Sequence, residues 1–420
     1  MNDTILLVDD DAAVRETISA VLGDEGFRVF TAVDGNEALA SLEQSVPDLV
    51  LLDVWLPETD GIEVLARIRE THQTLPVIVI SGHGNVDTAV RATKLGAADF
   101  IEKPFSIDAL LAAINRALDR GQGVGGGGSS DAVQPAQGTR SPAGPRVPQR
   151  TVGHSVVGGG LGLHSGVRTG LILQPLPPGS GIRFASVGRT TEIDACVSNV
   201  DSTGYATTLY KDGTVARTVE HLMAALHAYG ITNLLVKIEG EVPILDGSAV
   251  ELCRLLDNAG VVDQDADIAA FVITEEVRHE SGDDQFLAVR PYDGLRVIYE
   301  LSYPEPVGDQ TYVFEMKGPE SFREEIAPAR TFGFVEEIRA LEDAGLGQGG
   351  QLSNFILIGE KGIVNTELRF PEELARHKIL DILGDFYLLG APLRGEIHAR
   401  KTGHSGNIAM VRALSAMADA

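Results

Sequence analysis

The sequence predicts two unlike modules: an N-terminal α/β domain with a doubly wound parallel five-stranded sheet, and a C-terminal α+β domain whose elements follow a less regular order. Three observations carry this. Strand-like runs alternate with amphipathic helical segments over about the first 120 residues, a Gly- and Pro-rich stretch follows, and beyond it strands and helices are unevenly interleaved. At about 100–200 residues per domain, 420 residues make two or three domains.

Five β-branched or Leu-rich runs mark the first sheet: ILLV from Ile5, FRVFTA from Phe27, DLVLLD from Asp48, PVIVIS from Pro76 and ADFIEK from Ala98. The five βα units place the first domain at residues 1–120. From Gly121 to Arg150 apolar periodicity is lost, first to VGGGGSS and then to Pro, Gln, Ser and Arg. This composition reads as a flexible Gly/Pro-rich linker, 121–150, which fixes no geometry between its flanks. In the remainder, 151–420, strands are expected near 167–175, 182–187, 233–239, 270–278, 286–290 and 295–303. Helices are expected near 218–229, 249–259, 320–327, 334–345, 371–388 and 406–418.

The 34 Lys and Arg against 60 Asp and Glu leave a net charge of −26, which repels phosphate backbones and argues against nucleic-acid binding. No apolar run approaches the ~20 residues of a membrane helix, and the chain opens on a strand rather than a leader, so a cytoplasmic protein without a transmembrane segment is expected. Cys196 and Cys253, the only cysteines, suit a reducing compartment and leave any metal site to His and carboxylates.

In an open parallel sheet, ligands gather at the carboxyl ends of the strands. Asp9 and Asp10 close the first strand and Asp53 the third, a set that would hold Mg²⁺ through oxygen. Ser81 closes the fourth, and Lys103 follows the fifth; a hydroxyl and an ammonium there would neutralise a transferred phosphoryl group. Asp11 reads as a solvated loop former or helix cap. With these five features in order, residues 1–120 resemble the receiver domain of two-component response regulators. The resemblance implies that Asp53 is the phosphoacceptor, that Asp9 and Asp10 hold Mg²⁺, and that Ser81, Lys103 and Phe100 form the switch. It also implies a cognate sensor histidine kinase and a receiver-mediated homodimer as one route of regulation. No helix-turn-helix remainder or basic face follows the linker, so the output is not DNA binding.

Three C-terminal segments concentrate His and carboxylates. Glu220 and His221 begin a helical run in RTVEHLMAAL, and His377 and Asp381 sit four apart in RHKILDILGD, on one helix face, with Asp385 a turn further. His404 follows Gly403 in KTGHSGN, which reads as a loop where backbone must approach something closely. Two His and one carboxylate with a position left for water would suit catalytic zinc. Glu220 could then take the water proton, while His404, oriented by Asp385, protonates a leaving nitrogen. This is not the HExxH pattern of zinc peptidases. His227, His279 and His398 lack comparable partners.

Together with GLGLHSG (160–166), VPILDGSA (242–249) and ARTFGF (329–334), these segments occur in an order that resembles the UDP-3-O-acyl-N-acetylglucosamine deacetylases of lipid A synthesis. The resemblance implies Zn²⁺ on His221, His377 and Asp381, with Fe²⁺ able to occupy similar ligands. Glu220 is then the general base and His404 the general acid, with Asp385 its partner. It further implies an oxyanion hydrogen bond from Thr331, nearby positive charge from Lys378, and substrate contacts from Phe332 and Lys401. The implied fold is a pair of α+β subdomains with helices between two sheets. Arg217 replaces the usual Ser or Thr before TVEH, and Ser405–Gly406 replace Ala–Leu after His404. An acyl-chain passage is expected from LSNFILIGEKGIVN, 352–365. The expected activity is release of acetate from UDP-3-O-acyl-N-acetylglucosamine. Two rivals are a signalling or binding protein that has lost turnover and a deacetylase of another nucleotide sugar.

Overall fold

In the computed structural model, the described residues are 3–57, 59–81, 86–102, 105–118, 144–186, 191–280, 284–343 and 346–419. They divide into two compact units, the first drawn from residues 1–132 together with 154–159 and the second built mainly from 160–420. Most of the expected linker, and Lys103, lie outside the described residues.

In the first unit β1 (Thr4–Val8), β2 (Arg28–Ala32), β3 (Leu49–Asp53), β4 (Val77–Ser81) and β5 (Asp99–Glu102) form a parallel sheet in the order β2-β1-β3-β4-β5. The helices are α1 (Ala12–Asp24), α2 (Gly35–Gln44), α3 (Gly61–Thr71), α4 (Val86–Lys94) and α5 (Ile107–Ala117). Because side chains alternate along a strand, each apolar run supplies two cores. Leu6, Val8, Val50, Leu52, Val77 and Val79 join one cluster, and Ile5, Leu7, Leu49, Leu51, Ile78 and Ile80 join the other. Both faces are covered, which is why β3 and β4 are buried throughout. Asp34 caps α2 by accepting from the Glu37 N–H, while the Glu37 carboxylate accepts from the Val33 N–H, each at 2.8 Å.

The second unit contains α6 (Glu220–Tyr229), α7 (Val250–Ala259), α8 (Pro319–Glu325), α9 (Val335–Asp343), α10 (Glu373–Tyr387) and α11 (His404–Asp419). One sheet includes, in order, the strands Glu192–Asp194, Ile182–Ala185, Leu234–Ile238 and Arg168–Pro175. Another runs Val277–Glu280, Phe286–Arg290, Leu393–Arg400, Leu295–Ser302 and Asp309–Glu315. In both Leu295–Ser302 and Leu393–Arg400 alternate residues are buried, so one face of this sheet meets the core. Every residue of α6 is buried, and α10 is buried along nearly all its length while packing on α6 and on the strands Leu295–Ser302 and Asp309–Glu315. Helices enclosed on all sides belong between layers, as the α+β sandwich requires.

The strand expected over 270–278 is broken, with Phe271–Val272 and Val277–Glu280 in separate strands. Residues 146–150, assigned by composition to the linker, instead lie in the strand Arg146–Val152, paired antiparallel with Val261–Ala269. Pro148 and two arginines disguise it, and Thr151 and Val152 alone are fully buried. His404 is the first residue of α11 rather than part of a loop. Gly403 and Gly406 mask this helix start, which His404 and Asn407 tie to Asp385 on α10, each at 2.9 Å.

Two contacts fix α10. Arg330 and Glu373 form a buried pair at 2.8 Å, with the Arg330 N–H also donating to Glu373 Oε1 at 3.1 Å. At Gly384 an added Cβ would stand 2.0 Å from the Glu220 carbonyl oxygen, so only glycine admits this approach of α10 to α6. Gly384→Ala should therefore destabilise the protein by ~1–3 kcal/mol through overpacking. At an unhindered helix position the same change would stabilise by up to ~1 kcal/mol. Thermal unfolding of the variant checks this, and a raised Tm would contradict it.

Candidate functional site

Two sets of candidate ligands come together among the described residues. In the first unit, ligand atoms of Asp9, Asp10 and Asp53 lie within 4.8 Å of one another at the strand ends. Asp9 and Asp53 are buried and Asp10 is exposed. Short turns orient them: Asp9 Oδ1 accepts from the Asp11 N–H at 2.9 Å and Asp53 Oδ1 from the Trp55 N–H at 3.1 Å. Ser81 ends β4, fully buried, and the half-buried Phe100 packs on the core from β5.

In the second unit, His221 at the start of α6 meets His377 and Asp381 on α10, with ligand atoms again within 4.8 Å of one another. The two Nε2 atoms stand 3.8 and 3.5 Å from the same atom, Asp381 Oδ1. That oxygen is buried without a hydrogen-bond partner among the described residues, whereas Oδ2 accepts from Lys378 Nζ at 3.0 Å. An orphaned carboxylate oxygen facing two imidazole nitrogens is the donor set a divalent cation satisfies. His377 Nδ1 donates to the Ala329 carbonyl at 3.1 Å, a tautomer that leaves Nε2 free as a ligand. Burial and the neighbouring imidazole hold His221 down at about 3, and burial lowers His377, so both are neutral. Burial would raise Asp381, but Lys378 and three imidazoles hold it well below the usual carboxylate range.

Beside this group, His404 Nδ1 donates to Asp385 Oδ2 at 2.9 Å, and its Nε2 lies 3.7 Å from Glu220 Oε1 and 4.0 Å from Asp381 Oδ2. Burial lowers the His404 pKa, but Asp385, Glu220 and Asp381 outweigh it and push it up to about 10. Glu220 is pushed up to about 7, mainly by burial, with His404 opposing. A weakly acidic carboxyl beside a stably protonated imidazole supplies a proton acceptor and a proton donor at neutral pH.

These groups line a cavity of about 380 Å³, with Thr331, Phe332 and Lys378 also in its wall. The Phe332 ring meets His377 edge-on, with centroids 6.3 Å apart, and Lys378 Nζ lies 5.2 Å from the Phe332 centroid. Lys401 is not among the lining residues, and its Nζ pairs with Asp284 at 2.7 Å. An adjoining cavity of about 260 Å³ is walled by Phe334, Ile338, Leu341, Leu346 and Phe355. This apolar space forms on the strand Phe332–Phe334 and α9; of the expected 352–365 segment only Phe355 reaches it. The segment's apolar run instead forms the buried strand Ile356–Gly359.

Several supports had no sequence signal. Asp385 is fully buried, and besides His404 it accepts from the Thr207 hydroxyl at 2.6 Å and from the Asn407 amide at 2.9 Å. The Thr207 N–H donates to Glu220 Oε2 at 3.1 Å. Glu241 gathers the GLGLHSG loop by accepting from the His164 and Ser165 N–H groups and from the Thr218 hydroxyl, each at 2.9 Å. That last bond holds Thr218 at φ 56°, a conformation a β-branched residue rarely adopts, two residues before Glu220. His227 and His398 have structural partners: His227 stacks on Tyr387 at 4.3 Å, and His398 pairs with Glu300 at 2.6 Å.

Residues 149–416 match the family described as LpxC, UDP-3-O-acyl N-acetylglycosamine deacetylase, and residues 5–115 match the response regulator receiver domain. A UDP-3-O-acyl-N-acetylglucosamine deacetylase of a Nitratiruptor species is 44% identical over 250 residues, 59% of this chain and 83% of its own. The enzyme of that name from Myxococcus xanthus is 44% identical over 269 residues, 63% of this chain and 85% of its own. Among solved structures, the receiver domain of NtrX from Brucella abortus is 46% identical over 28% of this chain and 99% of that chain, with a TM-score of 0.27. Of a longer NtrX structure from the same organism the chain spans 27%, with a TM-score of 0.28. No described helix is long and apolar enough to cross a membrane. The match to more than half of its length shows that this chain belongs to the UDP-3-O-acyl-N-acetylglucosamine deacetylase family, with a response regulator receiver domain ahead of the deacetylase.

Proposed function

We propose that this protein is a zinc-dependent amidase that hydrolyses the acetamide of UDP-3-O-acyl-N-acetylglucosamine, releasing acetate, under the control of a phosphorylatable receiver. The observation that carries the reading is the meeting of His221, His377 and the orphaned Asp381 Oδ1 beside Glu220 and His404. Zinc held by the first three would act as a Lewis acid that acidifies water and polarises the amide carbonyl. Fe²⁺ is the alternative ion for the same donors.

The residues of the chain then divide the work. Glu220, fixed through Oε2 by the Thr207 N–H, uses Oε1 to take the proton of the attacking water. His404, kept protonated and oriented by Asp385, delivers a proton from Nε2 to the sugar nitrogen as the C–N bond breaks. The Thr331 hydroxyl and the Lys378 ammonium stabilise the oxyanion that develops on the amide. Phe332 offers a ring face to the sugar, and the adjoining apolar cavity takes the acyl chain. Lys401, close to the site in sequence and presently held by Asp284, meets the nucleotide phosphates. Such local cations are needed because the net charge of −26 repels an anionic substrate.

In the receiver, Asp53 accepts a phosphoryl group from a sensor histidine kinase, with Mg²⁺ on Asp9, Asp10 and Asp53. Ser81, Lys103 and Phe100 serve the switch that follows. Regulation runs through receiver dimerisation, occlusion of the catalytic mouth or recruitment of a partner, the routes favoured where two domains are joined by a Gly- and Pro-rich sequence.

Glu220→Ala should lower kcat by about 10²–10⁴-fold while zinc content is retained. His377→Ala should lose zinc as well as activity. An acetate-release assay on the acylated UDP sugar, with and without chelator and with metal analysis, checks both; activity that survives metal removal would refute the chemistry. Asp53→Ala should take up no label from a radioactive acyl phosphate. Turnover and mass distribution that stay identical in wild type and Asp53→Ala after acyl-phosphate treatment would exclude control by dimerisation or occlusion.

A further inference from the structure

We propose that Thr207 is a positioning residue of the deacetylase site: it holds the base and the carboxylate of the acid pair in one frame. The inference rests on the reading of Glu220, His404 and Asp385 given above and adds a residue to it. The antiparallel strands Thr208–Lys211 and Thr214–Ala216 form a hairpin, with Leu209 opposite Ala216 and Lys211 opposite Thr214. Thr207 precedes the first strand, and Thr218, Val219 and Glu220 follow the second, so the base and Thr207 leave opposite legs of one rigid unit. A Val219 N–H to Thr207 carbonyl bond at 3.3 Å joins the legs where they meet the site.

At that junction the two donors of Thr207 are used on different partners. Its N–H donates to Glu220 Oε2 at 3.1 Å, which turns Oε1 toward His404 Nε2 at 3.7 Å. Its hydroxyl donates to Asp385 Oδ1 at 2.6 Å, while Asp385 Oδ2 serves His404 Nδ1 and the Asn407 amide, each at 2.9 Å. Thr207 and Asp385 are both fully buried, so no water replaces the hydroxyl if it is removed. Oδ1 would then be an unpaired buried anion, and the carboxylate would swing to recover a donor, taking His404 with it. A shift of the acid relative to the base affects the transition state more than ground-state binding of the sugar.

The test uses the full-length zinc-loaded enzyme and the acylated UDP sugar. Thr207→Val keeps the shape and the backbone N–H but removes the hydroxyl; kcat should fall about ten- to a hundredfold, with KM within about twofold and zinc content unchanged. Thr207→Ser should recover most of the rate. In an Asp385→Asn background the valine change should cost under about threefold, because the partner it serves is already altered. Thr207→Ala removes the same hydroxyl without setting a methyl against the carboxylate and takes the place of the valine variant if that one unfolds. A hydroxyl-free variant with wild-type kcat, a serine variant as slow as the valine one, or full multiplication of the losses with Asp385→Asn would each overturn the proposal. Wild type that releases no acetate would overturn the deacetylase reading and this proposal with it, whereas active wild type beside an equally active Thr207→Val overturns this proposal alone.

Discussion

The close backbone approach of α6 and α10 at Gly384 is the constraint on which the catalytic unit depends. It sets the Glu220 carbonyl against the helix that carries His377, Asp381 and Asp385. A helix pair held apart by one more methyl group would separate His221 from its two partners and Glu220 from Asp385. Neither helix could supply the site alone, since α6 contributes His221 and Glu220 while α10 contributes the i, i+4 pair and, one turn on, the carboxylate that accepts from His404. The Arg330–Glu373 pair secures the other end of the arrangement, because the backbone running from Ala329 through Arg330 to Thr331 touches both His377 and the cavity.

Burying this many titratable groups requires that their charges be matched locally, and the matching assigns their protonation states. Asp381 is compensated by Lys378, and Asp385 by protonated His404 together with two neutral donors. Glu220 has only His404 to share and one backbone N–H, so burial dominates and its proton is held to about 7. The weakest-compensated carboxylate is thus the one chemically able to exchange a proton. His221 and His377 complete the pattern by staying neutral, the state in which imidazole binds a metal.

Legibility from sequence followed the range of the interaction concerned. The five receiver strands were readable because each is a single apolar run whose alternate residues feed two cores, and Asp9, Asp10, Asp53 and Ser81 follow from where those runs end. His377 and Asp381 were readable because a helix converts a spacing of four into proximity. Thr207 was not, since its neighbours ATTL show no period and its significance arises from a hairpin that returns the chain to Glu220. Gly384 sits in a segment quoted for its ligands, yet only the packing of another helix explains it. Gly403 and Gly406 discourage helix locally and make the His404 segment read as a loop, whereas hydrogen bonds from His404 and Asn407 to Asp385 on α10 hold its first turn. The strand Arg146–Val152 was missed for a related reason: its partner Val261–Ala269 lies more than a hundred residues on.

The two clusters of candidate metal ligands in the chain differ in donor chemistry. The receiver cluster offers oxygen alone, and one of its three aspartates is exposed, which leaves room for the waters that Mg²⁺ retains. The catalytic cluster offers two nitrogens and one oxygen, all buried, a set in which a more strongly polarising transition-type ion replaces its water by imidazole. On the proposed reading, the kind of donor and its hydration would each disfavour exchange of metal between the two clusters.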